Sequence, residues 1–420
     1  MATTYLTRTT GTPTNSKKFT VSGWFKISWT DSGDHQFFQQ FTDASNREHM
    51  YFSNYTLRWY CNSGGSTAVL LKPNMVFRDN NAWYHIVIAC DTTQATASNR
   101  VKIYVNGLQV TSFDTANYPS QNFDFLINSN NKLQAIGRYM GTNNYYYDGI
   151  ISHFHFIDGT QYAASDFGET DSTTGEWKIK TNPSVTYGNN GFFILKDGNS
   201  VTDQSGNSNN FTVGGGTLTK TEDCPSNVFA TLNPLDNFYA QSTFSNGNNN
   251  IVFNNSNECF NYSTLGMSTG KFYFEGKQIS YGSASQRNYF GVTYSPPDAS
   301  TDWLGNNNYS WGYRSDGKVY NSAQLQGTYS SFANGDIIGV ALDVTNSKLY
   351  FSKNGVWQNS ADPAAGSNGL SVNAGKTYFF AIGETTGGSG VESATNFGNG
   401  YFKTTAVSSA GTNASNNGIF

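Results

Sequence analysis

The segment of residues 334–357, NGDIIGVALDVTNSKLYFSKNGVW, constrains the fold more than any other part of the chain. Apolar side chains recur at every second position from 338 to 344, and a second strand-like run covers residues 348–353. Asn346-Ser347 lies between the two runs, which predicts an antiparallel hairpin. The pair Asn354-Gly355 follows and favours the positive φ angles that a tight hairpin turn requires. The segment therefore predicts β-structure in which the chain reverses direction twice.

The composition extends this prediction to the whole chain. Aromatic residues make up 15% of the sequence and charged residues only 13%, against about 25% in typical domains. Glycine (43 residues) far exceeds proline (9 residues). Aromatic side chains pack well on pleated sheets, and asparagine and glycine tolerate left-handed turns. With 420 residues, the chain is expected to form two or three domains, and its composition predicts an all-β fold with almost no helix.

The first part of the chain contains a series of alternating segments. These are FTVSGWFKI (19–27), WYHIVIACD (83–91), VKIYVNGLQV (101–110), IGR (136–138) and YDGIISHFHFIDG (147–159). Their order resembles the laminin-G/concanavalin-A-like group, which implies a β-sandwich for residues 1–170.

A second set of motifs surrounds the hairpin. It comprises GKFYFEG (270–276), YFGV (289–292), SWGY (310–313), DGK (316–318) and ATNFG (394–398). Five blocks in this order resemble the SPRY domain, a β-sandwich that binds partners and has no catalytic activity. We expect this sandwich at residues 236–402, followed by a C-terminal tail at 403–420. Together the two resemblances imply an all-β fold of two β-sandwich, jelly-roll-like domains in series.

Residues 171–235 are expected to form a structured, β-rich connector that completes or supports the first sandwich. The motifs FHFIDGTQYAASDFGE (154–169), YGNNGFFI (187–194), DQSGNSNNFTV (203–213) and PSNVFATLNPLDN (225–237) precede the SPRY-like part. This combination resembles structural proteins of tailed bacteriophages, in particular marine ones. The resemblance implies a virion protein that is made in the bacterial cytoplasm.

Charge and hydropathy exclude several classes of partner. The net charge is −4, and the 25 Lys and Arg residues form no basic stripe, so we expect no nucleic-acid binding. No apolar run is long enough to cross a bilayer, and the first residues have no apolar segment typical of a signal peptide. We therefore expect neither membrane insertion nor secretion through a signal peptide, and we expect the virion as the location.

The expected function is that of a phage surface protein, such as a tail fibre, spike or head fibre. Such a protein would bind a host-surface glycan or protein through sandwich loops, without catalysis. One alternative is a purely structural decoration or adaptor protein that contacts other virion proteins, and another is a polysaccharide depolymerase. Oligomerisation on the particle is expected because several weak sites bind more strongly together.

Two loops carry aromatic side chains that need not fill a core. Tyr145, Tyr146 and Tyr147 are consecutive, and such a run cannot face one core entirely, so at least one ring should be exposed. Trp303 and Tyr309 lie in the loop before the SWGY strand, where SPRY domains often build their binding surface. These five residues are the predicted ligand-binding candidates.

No carboxylate pair in the sequence suits glycoside hydrolysis. The nearest candidate is Glu169, Asp171 and Glu176, in a Thr- and Gly-rich segment that we expect to be a loop. Retaining glycosidases need two carboxylates about 5–5.5 Å apart on one face, and a loop does not provide that alternation. The sequence therefore predicts no enzymatic activity.

Metal binding stays open at the level of the sequence, and no other cofactor is expected. Asp91, Asp114 and Asp148 are conceivable calcium ligands at a sandwich rim, although no fixed ligand spacing is present. His153 and His155 form a His-x-His pair that would share one solvent-facing side of a regular strand. The cysteines are expected to be buried small apolar residues; they are Cys61, Cys90, Cys224 and Cys259.

Overall fold

The computed structural model describes residues 3–196, 200–254, 257–282, 287–385, 390–412 and 418–420. The chain divides into two compact units, residues 1–226 and 227–420. Both units are built from β-strands, which confirms the all-β prediction. None of the helices among the described residues is long and apolar enough to cross a membrane.

The first unit contains sixteen strands among its described residues. They are β1 Tyr5–Thr9, β2 Lys18–Ile27, β3 Asp34–Asp43, β4 Asn46–Ser53, β5 Thr56–Ser63, β6 Ser66–Pro73, β7 Trp83–Asp91, β8 Val101–Val105, β9 Leu108–Gln109, β10 Phe113–Asn117, β11 Leu133–Ile136, β12 Gly149–Asp158, β13 Gly168–Thr170, β14 Trp177–Ile179, β15 Phe192–Ile194 and β16 Thr212–Gly215. A short helix, Ala97–Arg100, and two 3-10 turns, Leu126–Asn128 and Ala164–Asp166, complete the elements.

Two sheets form the sandwich of this unit. One has eight strands in the order β10-β6-β5-β4-β3-β11-β1-β16, and the other has six in the order β15-β12-β2-β7-β8-β9. Phe25 and Phe154 from the six-stranded sheet pack with Phe38, Met50 and Trp59 from the eight-stranded sheet. This apolar contact between the inner faces is the core of the unit.

The segment after β12 is part of the first unit. Strand β15 pairs with β12 in one sheet, and β16 pairs with β1 in the other. The predicted connector of residues 171–235 is therefore not a separate body: its residues up to 226 belong to the first unit, and those from 227 belong to the second.

The same segment covers the outer face of the six-stranded sheet. Lys26 of β2 is 1% exposed and forms an ion pair of 2.6 Å with the buried Asp223. The indole Nε1 of Trp83 donates to the same carboxylate at 3.1 Å. Nearby, Trp177 donates to Nδ1 of the buried His85 at 3.0 Å. Polar side chains on this outer face are therefore buried beneath the connector instead of facing solvent.

The second unit contains sixteen further strands among its described residues. They are β17 Ser242–Ser245, β18 Asn250–Phe253, β19 Phe260–Tyr262, β20 Lys271–Ser280, β21 Asn288–Thr293, β22 Ser310–Arg314, β23 Lys318–Asn321, β24 Gln324–Thr328, β25 Ile337–Asp343, β26 Lys348–Lys353, β27 Val356–Trp357, β28 Leu370–Ser371, β29 Phe379–Glu384, β30 Val391–Asn396, β31 Tyr401–Phe402 and β32 Thr405–Ala406. A 3-10 turn covers Gln358–Ser360.

These strands also form two main sheets. One follows the order β17-β18-β30-β20-β25-β26-β27, with β28 beside β26, and the other follows β19-β29-β21-β22-β23-β24. Phe274 and Val340 of the first sheet share a core with Phe290 and Trp311 of the second. At the end of the chain, the ring of Phe420 lies 5.2 Å from that of Tyr273, so the last residues of the predicted tail pack on this unit.

The predicted hairpin is present. Strand β25 pairs with β26 from Ile338↔Lys353 to Asp343↔Lys348. Asn354 has φ 48° and Gly355 has φ 79°, as a primed turn requires.

We expect Gly355→Ala to destabilise the second unit by about 1 kcal/mol. An added Cβ would meet no atom within 4 Å, so the cost comes from the positive φ and not from a clash. Gly335→Ala is a matched comparison, because Gly335 also has open space around it and a positive φ, of 95°. This variant should lose a similar amount of unfolding free energy. Chemical denaturation of the three proteins measures the change, and a more stable Gly355→Ala variant would contradict the turn geometry.

Candidate functional site

The outer face of the eight-stranded sheet carries a continuous set of polar and aromatic side chains. Direct cross-strand partners share a face, and the pairs Tyr60↔His49, His49↔Gln39, Gln39↔Ala135 and Ala135↔Thr7 form one row from β5 to β1. The residues next to this row on β3, β4 and β5 point into the core, as described above. We call this outer surface, from β5 to β16, the polar face.

A β-bulge in β3 adds a second amide to the polar face. The register shifts between Gln36, which pairs with Tyr51, and Phe38, which pairs with Met50. The extra residue puts Gln36 and Gln39 on the same side, although a spacing of three residues would separate them in a regular strand. Phe37 and Phe38 both enter the core for the same reason.

At the centre of this face, two buried polar atoms have no hydrogen-bond partner among the described residues. Gln39 is 1% exposed; its Nε2 donates to the carbonyl of Arg138 at 2.6 Å, but its Oε1 accepts nothing. Nδ1 of His49 lies 3.1 Å from Oε1 of Gln36, and its Nε2 is unpaired. Buried polar groups are normally satisfied, so these two atoms indicate a place for ligand or water.

Aromatic rings surround His49. Its ring stacks on Tyr51 at 4.8 Å and contacts Tyr60 at 5.3 Å and Tyr139 at 5.4 Å. Burial, followed by the charge of Arg47, lowers the pKa of His49 to about 3. The imidazole is therefore neutral near pH 7 and offers one donor and one acceptor.

Three arginines lie at the edges of this cluster. Arg47 donates to the hydroxyl of Tyr139 at 2.8 Å and lies over the ring of Tyr60. Arg58 is the direct partner of Tyr51. The guanidinium of Arg138 lies 3.7 Å from the centre of the Tyr5 ring. Nε of each of the three guanidinium groups has no hydrogen-bond partner in the part of the chain that the structure describes.

The polar face ends in a groove of about 330 Å³ beside β1 and β16. Its lining is mostly hydroxyl and amide side chains; the residues are Thr7, Arg8, Thr9, Leu133, Ser208, Asn209, Asn210 and Thr212. Thr7 belongs to the row that contains Gln39 and His49, so the groove continues the same surface. With strands about 4.8 Å apart, the row from Tyr60 to Thr7 spans about 19 Å.

The structure separates the three predicted tyrosines. Tyr145 is 46% exposed, and its carbonyl accepts the backbone N–H of Gln36, which places it beside the polar face. Tyr146 is half-buried, with its ring 6.4 Å from that of Tyr5. Tyr147 is buried in the sandwich core, and its hydroxyl donates to the carbonyl of Lys26 at 3.1 Å. Tyr147 is therefore not available to a ligand, and its inclusion among the candidates is corrected.

Trp303 and Tyr309 support their own loop in the second unit. The Trp303 ring packs on Tyr289 at 5.5 Å and on Tyr320 at 5.4 Å, and it is half-buried. The hydroxyl of Tyr309 donates to the buried Asp302, whose other oxygen accepts from an asparagine side chain. Both residues stay binding candidates, but much of each side chain already has protein neighbours.

The three carboxylates considered for hydrolysis lie on a small exposed hairpin. Glu169 is on β13, opposite Lys178 of β14, so it lies on a short strand where we expected a loop. Asp171 accepts two backbone N–H groups and pairs with Lys178 at 2.7 Å. The bond to Lys178 and these N–H groups hold the pKa of Asp171 below its usual range. An ionised Asp171 is unsuited to the role of general acid.

The three aspartates considered for calcium have other neighbours. Asp91 pairs with Lys18 at 3.1 Å, and Asp114 pairs with Lys72 at 2.7 Å. Burial raises the pKa of Asp148, which disfavours its charged form. Within the described part of the chain, no three or more His, Cys, Asp or Glu side chains lie close enough together to hold a metal ion. The structure thus does not bring these aspartates together.

His153 and His155 are buried, which corrects the expectation of a solvent-facing pair. A register shift in β12 lies between Ser152 and His155, and His153 has φ 47°. Nδ1 of His153 lies 2.7 Å from Oγ of Ser152, and Nδ1 of His155 lies 2.9 Å from the hydroxyl of Tyr187 in the connector. Burial holds the pKa of His155 well below its usual value.

The cysteines are free thiols. Cys61, Cys90 and Cys259 are buried, as predicted, and Cys224 is partly exposed. Burial raises the pKa of the Cys259 thiol to about 12. Buried, protonated thiols of this kind are packing residues.

The polar face itself was not predicted from the sequence. In NREHMYFS (46–53) the outer positions are Arg47, His49 and Tyr51, and in TLRWYCNS (56–63) they are Arg58 and Tyr60. Arginine and aromatic residues at every second position, opposite apolar residues, are the signal that could have found it. The contribution of β3 was hidden by its bulge.

Comparison with known proteins agrees with this architecture. Residues 1–165 match the family model of the concanavalin A-like lectin/glucanases superfamily, and residues 271–365 match that of the SPRY domain. No curated protein matches the chain.

Several solved structures are similar to parts of the chain. The SPRY domain of human HERC1 has 19% identity and a TM-score of 0.32, covering 37% of this chain and 91% of its own. Stonustoxin has 20% identity and a TM-score of 0.30, covering 40% and 26%. A SAP-like pentraxin from Limulus polyphemus has 16% identity and a TM-score of 0.28, covering 38% and 72%. At these TM-scores the similarities carry no argument about function. The family matches and the two sandwiches together identify a concanavalin A-like domain followed by a SPRY domain.

Proposed function

We propose that the chain is a non-catalytic binding protein whose first unit binds a carbohydrate on the polar face. The observation that carries the proposal is the ring of Tyr145, which is 46% exposed and lies 6.1 Å from that of Tyr139 in the cluster of tyrosine rings around His49. Oε1 of Gln39 and Nε2 of His49, which lack a hydrogen-bond partner among the described residues, are buried in the same cluster. Amide and imidazole groups can exchange hydrogen bonds with sugar hydroxyls, and tyrosine rings offer flat apolar surfaces. The Thr- and Asn-lined groove adds hydroxyl and amide groups on the same surface.

We further propose that the protein acts on the surface of a phage particle, as part of a tail fibre, spike or head fibre. The resemblance of the motifs around the connector to structural proteins of tailed bacteriophages supports this. The partners would then be a host-surface glycan and other virion proteins. A decoration or adaptor role and a depolymerase activity are the competing outcomes of the experiment below.

We expect Tyr145→Ala to weaken carbohydrate binding by about 10-fold without lowering the melting temperature. The side chain is 46% exposed beside the polar face, and exposed aromatic anchors often contribute about 1–3 kcal/mol to binding. The measurement is retention of the full chain on an array of bacterial surface polysaccharides, with chain length of the bound polysaccharide determined afterwards.

Phe238→Ala is the matched control, because Phe238 is 76% exposed but belongs to the second unit. It should bind like the unchanged protein. Shortened polysaccharide would favour a depolymerase. Failure to retain any polysaccharide, together with binding to other virion proteins, would favour the structural role and overturn the proposal.

A further inference from the structure

We propose that the polar face selects an acidic polysaccharide, one that carries carboxylate or sulfate groups, through Arg47, Arg58 and Arg138. This inference rests on the carbohydrate site proposed above and specifies its ligand class. It follows from where the three guanidinium groups lie and from the finding that no carboxylate of the described residues forms an ion pair with them.

The arginines are placed around the row that contains Gln39 and His49. Arg47 lies on β4 two residues before His49, and Arg58 lies on β5 two residues before Tyr60. Because β4 and β5 are antiparallel, these two arginines are on opposite sides of the row, about 13 Å apart along the strands. Arg138 lies beyond β3, where its carbonyl accepts the side chain of Gln39. The three cations therefore enclose an uncharged floor.

The three cations are not neutralised within the described residues. The ion pairs there, with nitrogen–oxygen distances up to 4.0 Å, include none from Arg47, Arg58 or Arg138 to a carboxylate. Asp114 is near enough to Arg58 for the charge of the arginine to lower the pKa of this carboxyl, but its main partner is Lys72 at 2.7 Å. In a chain with net charge −4, three such cations on one face form a local positive site.

Guanidinium groups bind carboxylate and other oxyanions with better geometry than ammonium groups do. Their planar fork matches carboxylate and other oxyanions with two parallel hydrogen bonds, and they stack on aromatic rings. Arg47 and Arg138 already contact Tyr60 and Tyr5 in this manner. The rings hold the guanidinium groups in place, so less side-chain freedom is lost when an anionic ligand binds.

The floor between the three arginines is uncharged. The anionic groups of a ligand are therefore attracted to the arginines at its edges and not to its centre. His49 is uncharged near pH 7 because burial lowers its pKa to about 3. Gln36 and Gln39 are amides and are 1% exposed. An acidic sugar can therefore lie along the polar face with its anionic groups at the arginines, and further sugar units of the same polymer can occupy the groove beside β1.

The test compares acidic and neutral probes on the full chain. The probes are an oligogalacturonate, its carboxyl-reduced neutral counterpart, dextran sulfate, dextran and the bacterial polysaccharide array. We expect the polysaccharides retained by the protein to be acidic, with at least 10-fold weaker binding of their neutral counterparts. Binding should also weaken as salt is raised from about 50 to 500 mM, because exposed charges are screened. The oligogalacturonate and dextran sulfate arms show whether carboxylate, sulfate or both are accepted.

Three single variants, Arg47→Gln, Arg58→Gln and Arg138→Gln, should each weaken binding to the best acidic probe by about 10-fold or more. Arg78→Gln removes the same charge from an exposed arginine outside the polar face and should bind normally. Arg47→Lys keeps the charge but loses the planar fork of donors. Its affinity for the acidic probe should therefore lie between those of the unchanged protein and Arg47→Gln. Circular dichroism melting of each variant separates loss of binding from loss of fold.

Each result has a definite reading. Retention of neutral polysaccharides with the same affinity as acidic ones, or equal losses in Arg78→Gln and the three test variants, would overturn the acidic ligand but keep a carbohydrate site. Retention of no polysaccharide, acidic or neutral, would overturn the proposed function itself and the inference with it. Normal binding of acidic probes by folded Arg→Gln variants at the three positions would assign recognition to another surface.

Discussion

Replacement of Asp223 by alanine is expected to destabilise the first unit by about 3–5 kcal/mol. Asp223 is buried, and its carboxylate lies 2.6 Å from Nζ of Lys26 and 3.1 Å from the indole nitrogen of Trp83. Without it, Lys26 stays at 1% exposure and loses the carboxylate of its ion pair. Removal of one member of a buried ion pair costs this much because the remaining charge is no longer compensated.

Denaturant unfolding followed by tryptophan fluorescence measures this loss. Asp171→Ala is the matched control, since Asp171 also pairs with a lysine, Lys178 at 2.7 Å, but does so on the surface. Exposed ion pairs contribute little, so this control, which also loses two backbone hydrogen bonds to Asp171, should lose much less stability than Asp223→Ala. Equal stability of Asp223→Ala and Asp171→Ala would mean that the connector does not need the buried pair to cover the sheet.

Acidification from pH 6.5 to 4.5 is expected to cost the first unit about 3 kcal/mol or more. Burial lowers the pKa of both His49 and His85 to about 3, whereas an unfolded histidine titrates near 6.5. Between these values the unfolded state binds two protons that the folded state does not bind. The stability contributed by the neutral imidazoles is present above about pH 6.5 and is lost as the pH falls.

Protonation of Glu48 changes the stability of the first unit in the opposite direction as the pH falls. Burial raises its pKa from 4.5 to about 7, so between these values the folded state binds one proton that the unfolded state does not bind. The net difference from these three groups is one proton, or about 1.4 kcal/mol per pH unit. Burial of His155 adds to the acid sensitivity, since its pKa is also held low.

Calorimetry of the full chain at both pH values tests this prediction. All five histidines lie before residue 226, so the second unit serves as an internal control and should change less. His85→Gln should reduce the difference between the two pH values, because it removes one of the groups that must take up a proton on unfolding. A first unit that is equally stable at both pH values would show that these imidazoles are not buried in the neutral form.

The sequence predicted those parts of the fold that local patterns encode. The turn at Asn354-Gly355 needs only two residues with positive φ, and the strand at residues 19–27 needs only regular alternation. The same reasoning failed where a strand is irregular. The register shift before His155 and the extra residue at Phe37 change which face a side chain occupies, and alternation alone cannot show either.

The candidate site could be predicted only in part, because it depends on pairing between distant strands. Tyr145 was found as an exposed aromatic residue, since three consecutive tyrosines cannot all enter one core. The neighbouring Tyr147 enters the core, where its hydroxyl reaches a backbone carbonyl of β2. Gln39, His49 and Tyr60 become neighbours only through the register of three strands, which no local pattern specifies.

The return of β16 to the first strand has a consequence for how the protein folds during synthesis. Oγ1 of Thr7 and Oγ1 of Thr212 lie 3.3 Å apart, although 205 residues separate them along the chain. Contacts this distant in sequence slow folding, because a long loop must close before they form. The eight-stranded sheet therefore cannot be completed until the ribosome has released the connector. Until then, the edge of β1 that pairs with β16 has no partner strand, although almost the whole first unit has been translated.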